Sequence, residues 1–319
     1  MKSIFISIIS SVRSCGKKAG RSDTLLSLFD RHNEEYRALI GHGRSFKSYK
    51  RYEVVFRHMQ VFLKGRKLER LRLVEVTPDL VRDFERYLRI EMKLKNNSVW
   101  VYMITLKHVL SLAVATGKIS SDPFAGYRNR FEQVDRGYLT ETELLQVMNH
   151  PLEPGTQRLV RDLFVFAAFT GLSYVDMKKL RWENIRTMFD GKSWIVIRRT
   201  KTNTPSNVLL LDIPLQILER HGDREGAHVF RIPSNNCCNA YLYMLERACG
   251  IPTHITFHIA RHTFATLSLS KGVPIETLSS VMGHTSIRTT QIYAKVVNEK
   301  VGEDMSRLAD KLRHLPYRG

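Results

Sequence analysis

The spacing of apolar residues predicts four helices in the first 125 residues. Apolar side chains recur there every three or four positions, which places them along one face of a helix. A proline at the start of the third segment and a glycine after the fourth are typical of helix ends. The predicted spans are 23–40, 45–64, 77–93 and 96–116, with Asp23 and Ser45 as caps of the first two. This pattern predicts a compact four-helix domain over residues 23–125, preceded by a leader of residues 1–22.

The pattern changes after this domain. Residues 126–137 have no clear period and are predicted to be a linker. Thr140 opens a capping box for the next helix. Runs rich in β-branched residues over 193–200 and 207–213 predict a β-hairpin. Further helices are predicted over 138–150, 156–169, 235–249, 256–270, 274–282 and 299–313. The expected fold is mainly α with a small β-hairpin, and the second domain covers residues 138–319.

The chain is strongly basic, because 50 Lys and Arg against 31 Asp and Glu give a formal net charge of +19. Residues 1–130 carry +14 of this excess and residues 131–319 carry +5. Such an excess indicates an anionic partner, with nucleic acid first and an anionic membrane surface second. The apolar fraction of 43% excludes a disordered chain, and no apolar run predicts a membrane span. The second helix carries the candidate DNA-binding residues, for which a solvated face is the alternative: Lys47, Lys50, Arg51 and Arg57.

The cysteines and histidines do not predict a metal site. Cys15, Cys237, Cys238 and Cys249 include no C-x-x-C pair, and the 12 histidines include no H-E-x-x-H pair. We therefore expect neither a metal nor another cofactor. Free thiols favour a cytoplasmic protein. Residues 2–12 weakly resemble a signal peptide, but a short leader without that role is the interpretation we favour.

Four residues near the end of the chain suit attack on a phosphodiester. His258 and Arg261 lie three positions apart and so share one face of a helix. His284 follows a glycine that can end the preceding helix, and Tyr293 comes nine positions later. Arginine binds phosphate oxygens in a bidentate fork, histidine donates or moves a proton, and tyrosine supplies a nucleophile. His262 points about 100° away from Arg261 on the same helix and is predicted to be a packing residue.

This run resembles the C-terminal signature of the tyrosine recombinases, the phage integrase family, which is H-x-x-R, then G-H, then the nucleophilic tyrosine. Three further segments resemble the family's catalytic-domain start, its first active-site motif and its β-hairpin lysine motif. They are Tyr138-Leu139-Thr140, Thr170-Gly171-Leu172 and Arg199-Thr200-Lys201-Thr202. The basic four-helix domain resembles the family's SAM-like core-site-binding domain. The resemblance covers roughly residues 23–315 and implies a DNA-binding domain followed by a catalytic domain of the DNA breaking-rejoining fold.

The resemblance also implies a role for each matched residue. Tyr293 would be the nucleophile, while His258 and Arg261 would hold the scissile phosphate. His284 would hydrogen-bond this phosphate in the transition state, and Lys201 would protonate the departing 5′ oxygen. Neither a metal nor a nucleotide is implied, because cationic side chains stabilise the charge and the phosphotyrosine conserves the bond energy.

One position departs from the family's pattern. The family normally has an arginine directly after Thr-Gly-Leu, where this chain has Ser173. One hypothesis is a DNA-binding protein without catalysis. The other, which we favour, is a branch of bacterial mobile-element integrases and invertases in which another arginine substitutes. Strand alternation would place Arg199 on the same face as Lys201, and Arg161 lies on the helix that leads to Ser173. The alternatives are that Arg199 faces solvent and that Arg161 forms an ion pair with Asp162.

The expected function is therefore a site-specific DNA recombinase that integrates, excises or inverts DNA. The resemblance implies duplex DNA as the partner and a homotetramer on paired sites, and it leaves open a host DNA-bending protein. We expect a cytoplasmic, nucleoid-associated protein. A type IB topoisomerase uses similar chemistry, but the small front domain and the H-x-x-R pattern with a nearby G-H fit a recombinase better.

Overall fold

The computed structural model describes residues 23–134, 137–294 and 298–313. The predicted leader, residues 1–22, lies outside these ranges. The chain divides after Val134 into two compact units, which we describe separately.

The first unit contains the four predicted helices. They are α1 (Leu25–Ala38), α2 (Phe46–Gly65), α3 (Pro78–Ile90) and α4 (Asn96–Ala115). α4 is long and apolar enough to cross a membrane by length and composition alone. One side of α4 lies in the core of the unit, as expected for the inner helix of a helical domain. The core is formed by side chains from all four helices, including Phe29, Val55, Phe62, Phe84, Leu88, Val99, Leu106 and Val109.

The predicted capping residues of the first two helices can be compared with the observed ones. Ser45 caps α2 as predicted, and its hydroxyl accepts from the backbone N–H of Ser48 at 3.1 Å. The predicted cap of α1 is wrong, because Thr24 and not Asp23 accepts from the N–H of Ser27, at 3.2 Å. The Asp23 carboxylate instead accepts from Lys118 Nζ at 2.6 Å, which ties the start of α1 to the end of α4.

The segment after residue 126, predicted to be linker, contacts α4. Asn97 donates to the Glu132 carbonyl and accepts from its N–H, both at 2.8 Å. The rings of Trp100 and Phe131 meet edge to face at 5.2 Å. These contacts place the segment up to Val134 in the first unit.

The second unit combines helices with a small antiparallel sheet. Its helices are α5 (Glu141–Asn149), α6 (Thr156–Thr170), α7 (Tyr174–Lys178), α8 (Asp212–His221), α9 (Asn235–Ala248), α10 (Phe257–Ser270), α11 (Ile275–Val281), α12 (Arg288–Ala294) and α13 (Asn298–Leu312). Thr140 and Glu143 form the predicted capping box at the start of α5. α6 lies at the centre, with buried residues on every side, and it packs against α8, α9 and α10.

The sheet has three strands in the order β1 (Ile185–Thr187), β2 (Ser193–Arg198) and β3 (Pro205–Leu209). The predicted hairpin is β2 paired with β3, with Ile195 opposite Val208. β1 was not predicted, because three residues are too short to display an alternating pattern. The second predicted strand is also too long, because Asp212 begins α8. A continuous apolar run does not mark where a strand gives way to a helix.

Candidate active site

Two backbone carbonyl groups hold the guanidinium of Arg261 in place. Its position on α10 buries the guanidinium, which donates through Nη1 to the carbonyl of Gly171 and through Nη2 to that of Met282 at 2.7 Å. Gly171 has φ +66°, and a Cβ there would lie 2.5 Å from the Phe264 ring, so this position requires glycine. Burial lowers the pKa of Arg261 to about 10, and the charge of Arg199 adds to this effect. Arg261 therefore remains a buried cation at neutral pH.

His284 is turned towards Arg261 by the glycine before it. Gly283 has φ +61° and ends α11, and its N–H donates to the Ser280 carbonyl at 2.9 Å. His284 Nε2 lies 3.0 Å from Arg261 Nη2, and its Nδ1 lies 2.8 Å from the hydroxyl of Thr290. Since Arg261 is only a donor, Nε2 accepts and Nδ1 carries the proton. Burial, together with the charges of Arg261 and Arg199, lowers the pKa of His284 to about 4.

The lowered pKa of His284 predicts that the protein is less stable in mild acid. Below pH 6.5 the unfolded imidazole binds a proton and the folded one does not until about pH 4, so stability falls as the pH falls through this window. The contribution of His284 to the loss by pH 4.5 should be about 2–3 kcal/mol. Burial also lowers the pKa of His32, His58 and His108, so these residues add to the total loss. Urea unfolding at pH 7 and pH 4.5 measures the loss in each variant. His284→Asn should lose about 2–3 kcal/mol less than the wild type, whereas His228→Asn, at an exposed histidine, should lose as much as the wild type. An equal loss in all three proteins contradicts the prediction.

Tyr293 lies on α12 and is 6% exposed. It packs in a small apolar cluster with Ala265, Leu269, Leu278 and Met282 from α10, α11 and the residue after α11. Burial raises the pKa of the phenol, and the charge of Arg261 partly opposes this shift. The phenol is therefore protonated at neutral pH and lies within the field of a buried guanidinium.

His258 and His262 form a pair on the same face of α10. Their Nε2 atoms are 3.0 Å apart, and the ring of His262 meets the Tyr293 ring at a right angle with centroids 5.0 Å apart. The packing predicted for His262 is therefore against His258 and Tyr293, two of the candidate site residues. Residues four apart on a helix are neighbours, and this spacing carries His262 to His258.

Arg199 reaches the site from the β2–β3 turn. Its side chain is 8% exposed, and its Cγ would lie 2.6 Å from a Cβ added at Gly283. The hydroxyl of Thr204 donates to the Gly283 carbonyl at 2.6 Å and so ties the turn to the end of α11. Arg199 Nη1 is buried and has no hydrogen-bond partner in the described part of the chain. A buried donor of this kind is costly unless an anion or water occupies the site, so the turn presents a ready donor for an anionic group.

Asp176 is the site residue that the sequence reasoning missed. Its carboxylate lies 3.0 Å from Arg199 Nη2, accepts from Ser173 Oγ at 2.5 Å and accepts from the Thr200 N–H at 2.8 Å. Burial alone would raise the pKa of Asp176, but these hydrogen bonds and the charge of Arg199 hold it below its ordinary value. Ser173 therefore holds the carboxylate that holds Arg199. The only sequence signal was an acidic residue three positions after Ser173.

Two other predicted residues do not join this cluster. Arg161 is buried on α6, where its guanidinium contacts Asp162 at 2.6 Å and donates to the His150 carbonyl at 2.7 Å. This is the ion pair foreseen as the alternative to a catalytic role. Lys201 lies exposed in the β2–β3 turn. Strand alternation does not place it beside Arg199, because β2 ends at Arg198. The four candidate DNA-binding residues of the first unit are all exposed on α2.

The buried part of the site carries an excess of positive charge. Two guanidinium groups, those of Arg199 and Arg261, lie near enough for one to lower the pKa of the other. Within the described ranges, Asp176 is the one carboxylate that forms an ion pair with either of them. Such a site favours an anion with several oxygen atoms, and a phenol and three imidazoles lie beside it.

Comparison with known proteins identifies the family to which the chain belongs. Residues 24–134 match the phage integrase SAM-like domain, and residues 137–300 match the phage integrase family. The chain belongs to the phage integrase family. The tyrosine recombinase XerC-like protein of Caldanaerobacter subterraneus subsp. tengcongensis is 25% identical over an alignment of 255 residues, and the match covers 64% of this chain and 64% of that protein. Tyrosine recombinase XerA of Saccharolobus solfataricus is 58% identical over 40 residues, 12% of this chain and 14% of that protein. The chain thus matches less than two thirds of either relative's length.

Solved structures of integrases share the fold of this family member. A lambda integrase dimer bound to a COC′ core site has a TM-score of 0.67 at 21% identity, covering 84% of this chain and 94% of that chain. The Tn1549 transposon integrase in complex with a circular intermediate DNA has a TM-score of 0.66 at 18% identity, covering 90% and 100%. The predicted fold class, a SAM-like helical domain followed by an integrase catalytic domain, is confirmed.

Proposed function

We propose that this phage integrase family member is a site-specific recombinase that cuts and rejoins duplex DNA through a 3′-phosphotyrosine at Tyr293. The observation that carries the proposal is the burial of this phenol within the field of the Arg261 guanidinium. Arg261 in turn lies near Arg199, whose buried Nη1 has no hydrogen-bond partner among the described residues. The +19 net charge supports a polyanionic substrate. Relatives that are named tyrosine recombinases, and integrases solved with DNA, support the same conclusion.

The proposed chemistry is an exchange of one phosphodiester for another. Tyr293 Oη bonds to phosphorus while the bond from phosphorus to the 5′ oxygen breaks, and the departing oxygen takes a proton from Lys201. The phenol proton passes to the imidazole of His258, which together with Arg261 is proposed to hold the scissile phosphate. Arg261 and His284 bind the phosphate oxygens, where the charge increases in the transition state. For this step His284 is proposed to exchange the contact of its Nε2 with Arg261 for a protonated Nε2 that donates to the phosphate. The reverse attack by a 5′ hydroxyl restores the DNA, so neither a metal nor a nucleotide is required.

Arg199 takes the place of the arginine that the family normally has at the position of Ser173. The buried guanidinium, its unpartnered Nη1 and its ion pair with Asp176 support this assignment. Arg161 does not have this role, because its contacts are with Asp162 and the His150 carbonyl and not with the residues around Arg261. The non-catalytic alternative depends on Ser173 alone, and Ser173 serves here to hold Asp176.

The proposed assembly is a homotetramer on two DNA sites. A lambda integrase tetramer bound to a Holliday junction, which has a TM-score of 0.64 to this chain at 19% identity over 90% of this chain and 88% of that chain, supports this arrangement. The exposed basic residues of α2, from Lys47 to Arg57, are proposed to contact the DNA backbone. Since the proposed substrate is duplex DNA, we expect the protein to act in the cytoplasm on the nucleoid, with or without a host DNA-bending protein.

Long-read sequencing of cells that express the wild type or Tyr293→Phe tests this function. New DNA junctions that depend on Tyr293 are the expected result. Inverted segments would identify an invertase, while circular or insertion junctions would identify a mobile-element integrase. Rearrangement that continues in the Phe variant contradicts the proposal, as does DNA binding by the wild type with no junctions on any supplied target.

Deletion of residues 300–319 is expected to impair pairing of two DNA sites more than DNA binding. α13 exposes Met305, Leu308 and Leu312 on one side, with Leu308 at 45% exposure, and such a stripe suits docking on a second protomer. Mobility shifts should show single-site binding within about threefold of wild type and a loss of the paired complex of at least tenfold. Replacing the three apolar residues by serine should have the same effect. Normal pairing by the truncated protein contradicts the prediction.

A further inference from the structure

His262 lies between the proposed phosphate-binding histidine and the proposed nucleophile. It is half-buried on α10, four positions after His258 and next to Arg261. Its Nε2 lies 3.0 Å from His258 Nε2, and its ring meets the Tyr293 ring at 90° with centroids 5.0 Å apart. The first of these contacts is made by a nitrogen atom and the second by the ring, so a substitution can remove one of them and keep the other.

The contact between the two Nε2 atoms couples the protons of the two imidazoles. A hydrogen bond at 3.0 Å requires a donor on one side and an acceptor on the other. If both Nε2 atoms carried protons, the two hydrogen atoms would face and repel each other. If neither atom carried a proton, the two lone pairs would face each other and no hydrogen bond would form. The protonation and orientation of His258 are thus set together with those of His262. His258 is exposed, so this bond also fixes an imidazole at the solvent edge of the site.

The contact with Tyr293 adds a second constraint. An aromatic ring that meets another at a right angle, near 5 Å, is in a favourable edge-to-face arrangement. Tyr293 lies on α12, a helix of seven residues, whereas His262 lies in the middle of the longer α10. The longer and better-packed helix therefore provides the fixed surface against which the phenol ring rests.

We propose that His262 is a positioning residue for the cleavage step, which orients the His258 imidazole towards the scissile phosphate through the Nε2 hydrogen bond. This inference rests on the proposed function and assigns a task to a residue for which sequence reasoning predicted packing alone. His262 does not contact the phosphate in this account, and its effect passes through His258. Misplacing one catalytic group by about 1 Å costs up to about 100-fold in rate, which sets the size of the expected effect.

The test compares two substitutions that separate the two contacts. His262→Phe keeps a ring against Tyr293 and removes the hydrogen bond, while His262→Gln keeps an amide at the ε position and removes the ring. The full-length protein is mixed with a nicked suicide substrate that carries its recombination site. Two quantities are measured: the rate constant for covalent complex formation at saturating protein, and the Kd for an intact duplex. His228→Phe, at an exposed histidine, is the matched control.

We expect His262→Phe to lower the rate constant by about 10- to 100-fold with the Kd within twofold. His262→Gln should remain within about fivefold of wild type, and His228→Phe should equal it. In a His258→Ala background, His262→Phe should cost less than twofold further, because its partner is already gone. A wild-type rate for His262→Phe overturns the inference, as does a loss that persists undiminished in the His258→Ala background. A wild type that forms no covalent complex would instead refute the proposed function.

Discussion

Replacing Tyr293 with phenylalanine should abolish covalent attachment to DNA and leave DNA binding intact. The substitution removes the hydroxyl and keeps the ring, which packs among Ala265, Leu269, Leu278 and Met282. The fold should therefore survive, and the hydroxyl of the proposed nucleophile is the only group lost. Removal of a catalytic nucleophile lowers rates by several orders of magnitude, so we expect at least about a 10³-fold decrease in covalent complex on a suicide substrate.

A second phenol provides the matched control for this experiment. Tyr243 is 52% exposed on α9, and Tyr243→Phe should form covalent complex at the wild-type rate. Mobility shifts on intact duplex should give the same Kd for both variants and the wild type. Covalent complex that persists in Tyr293→Phe would mean that another residue attacks the phosphate.

Arg199→Ala is expected to have the second largest effect, lowering the rate of DNA cleavage by about 10²- to 10³-fold. Arg199 is proposed to supply the charge that Ser173 cannot, from a buried position where a fixed cation acts in a low-dielectric surrounding. Its loss would also leave Asp176 buried without its cation, so repulsion between this carboxylate and the phosphate would add to the effect. Arg199→Lys should recover part of the rate, since lysine keeps the charge but not the fork.

The neighbouring residue is a close control for Arg199. Arg198 is exposed at the end of β2, and Arg198→Ala removes the same charge one position away. Its cleavage rate at saturating protein should stay within about threefold of wild type. Equal losses for the two variants would indicate a general electrostatic effect on DNA binding. A wild-type rate for Arg199→Ala would mean that Arg199 does not replace the arginine that the family has at the position of Ser173.

Local signals predicted the helices well, because the spacing of apolar side chains and the caps act over a few residues. The capping box of Thr140 and Glu143 and the cap at Ser45 are examples. Asp23 and Thr24 are adjacent and both suit a cap, so the sequence alone does not distinguish them; in the structure Thr24 caps the helix and Asp23 pairs with Lys118, which is distant along the chain. β1 and α8 escaped prediction, because one is very short and the other follows an apolar run without a break.

The motif proposed to be catalytic is visible as a linear pattern in the sequence, but the partners that complete it are not. Nothing in the spacing of Arg161 and Arg199 decides which one reaches Arg261, since both are far from it along the chain. The decision comes from Asp162, which holds Arg161 on α6, and from the turn that carries Arg199 to Gly283. His262 lies beside His258 because residues four apart on a helix are neighbours. The sequence prediction considered only the angle between His262 and Arg261, and so it did not find this contact.

The most direct test of the account is to identify the amino acid that becomes joined to DNA. Wild-type protein trapped on a suicide substrate is digested with trypsin and nuclease, and the peptide that carries a nucleotide remnant is sequenced by mass spectrometry. The account predicts one modified peptide, with a 3′-linked nucleotide on Tyr293. A remnant on any other residue, or strand cleavage with no protein-linked DNA, would contradict it.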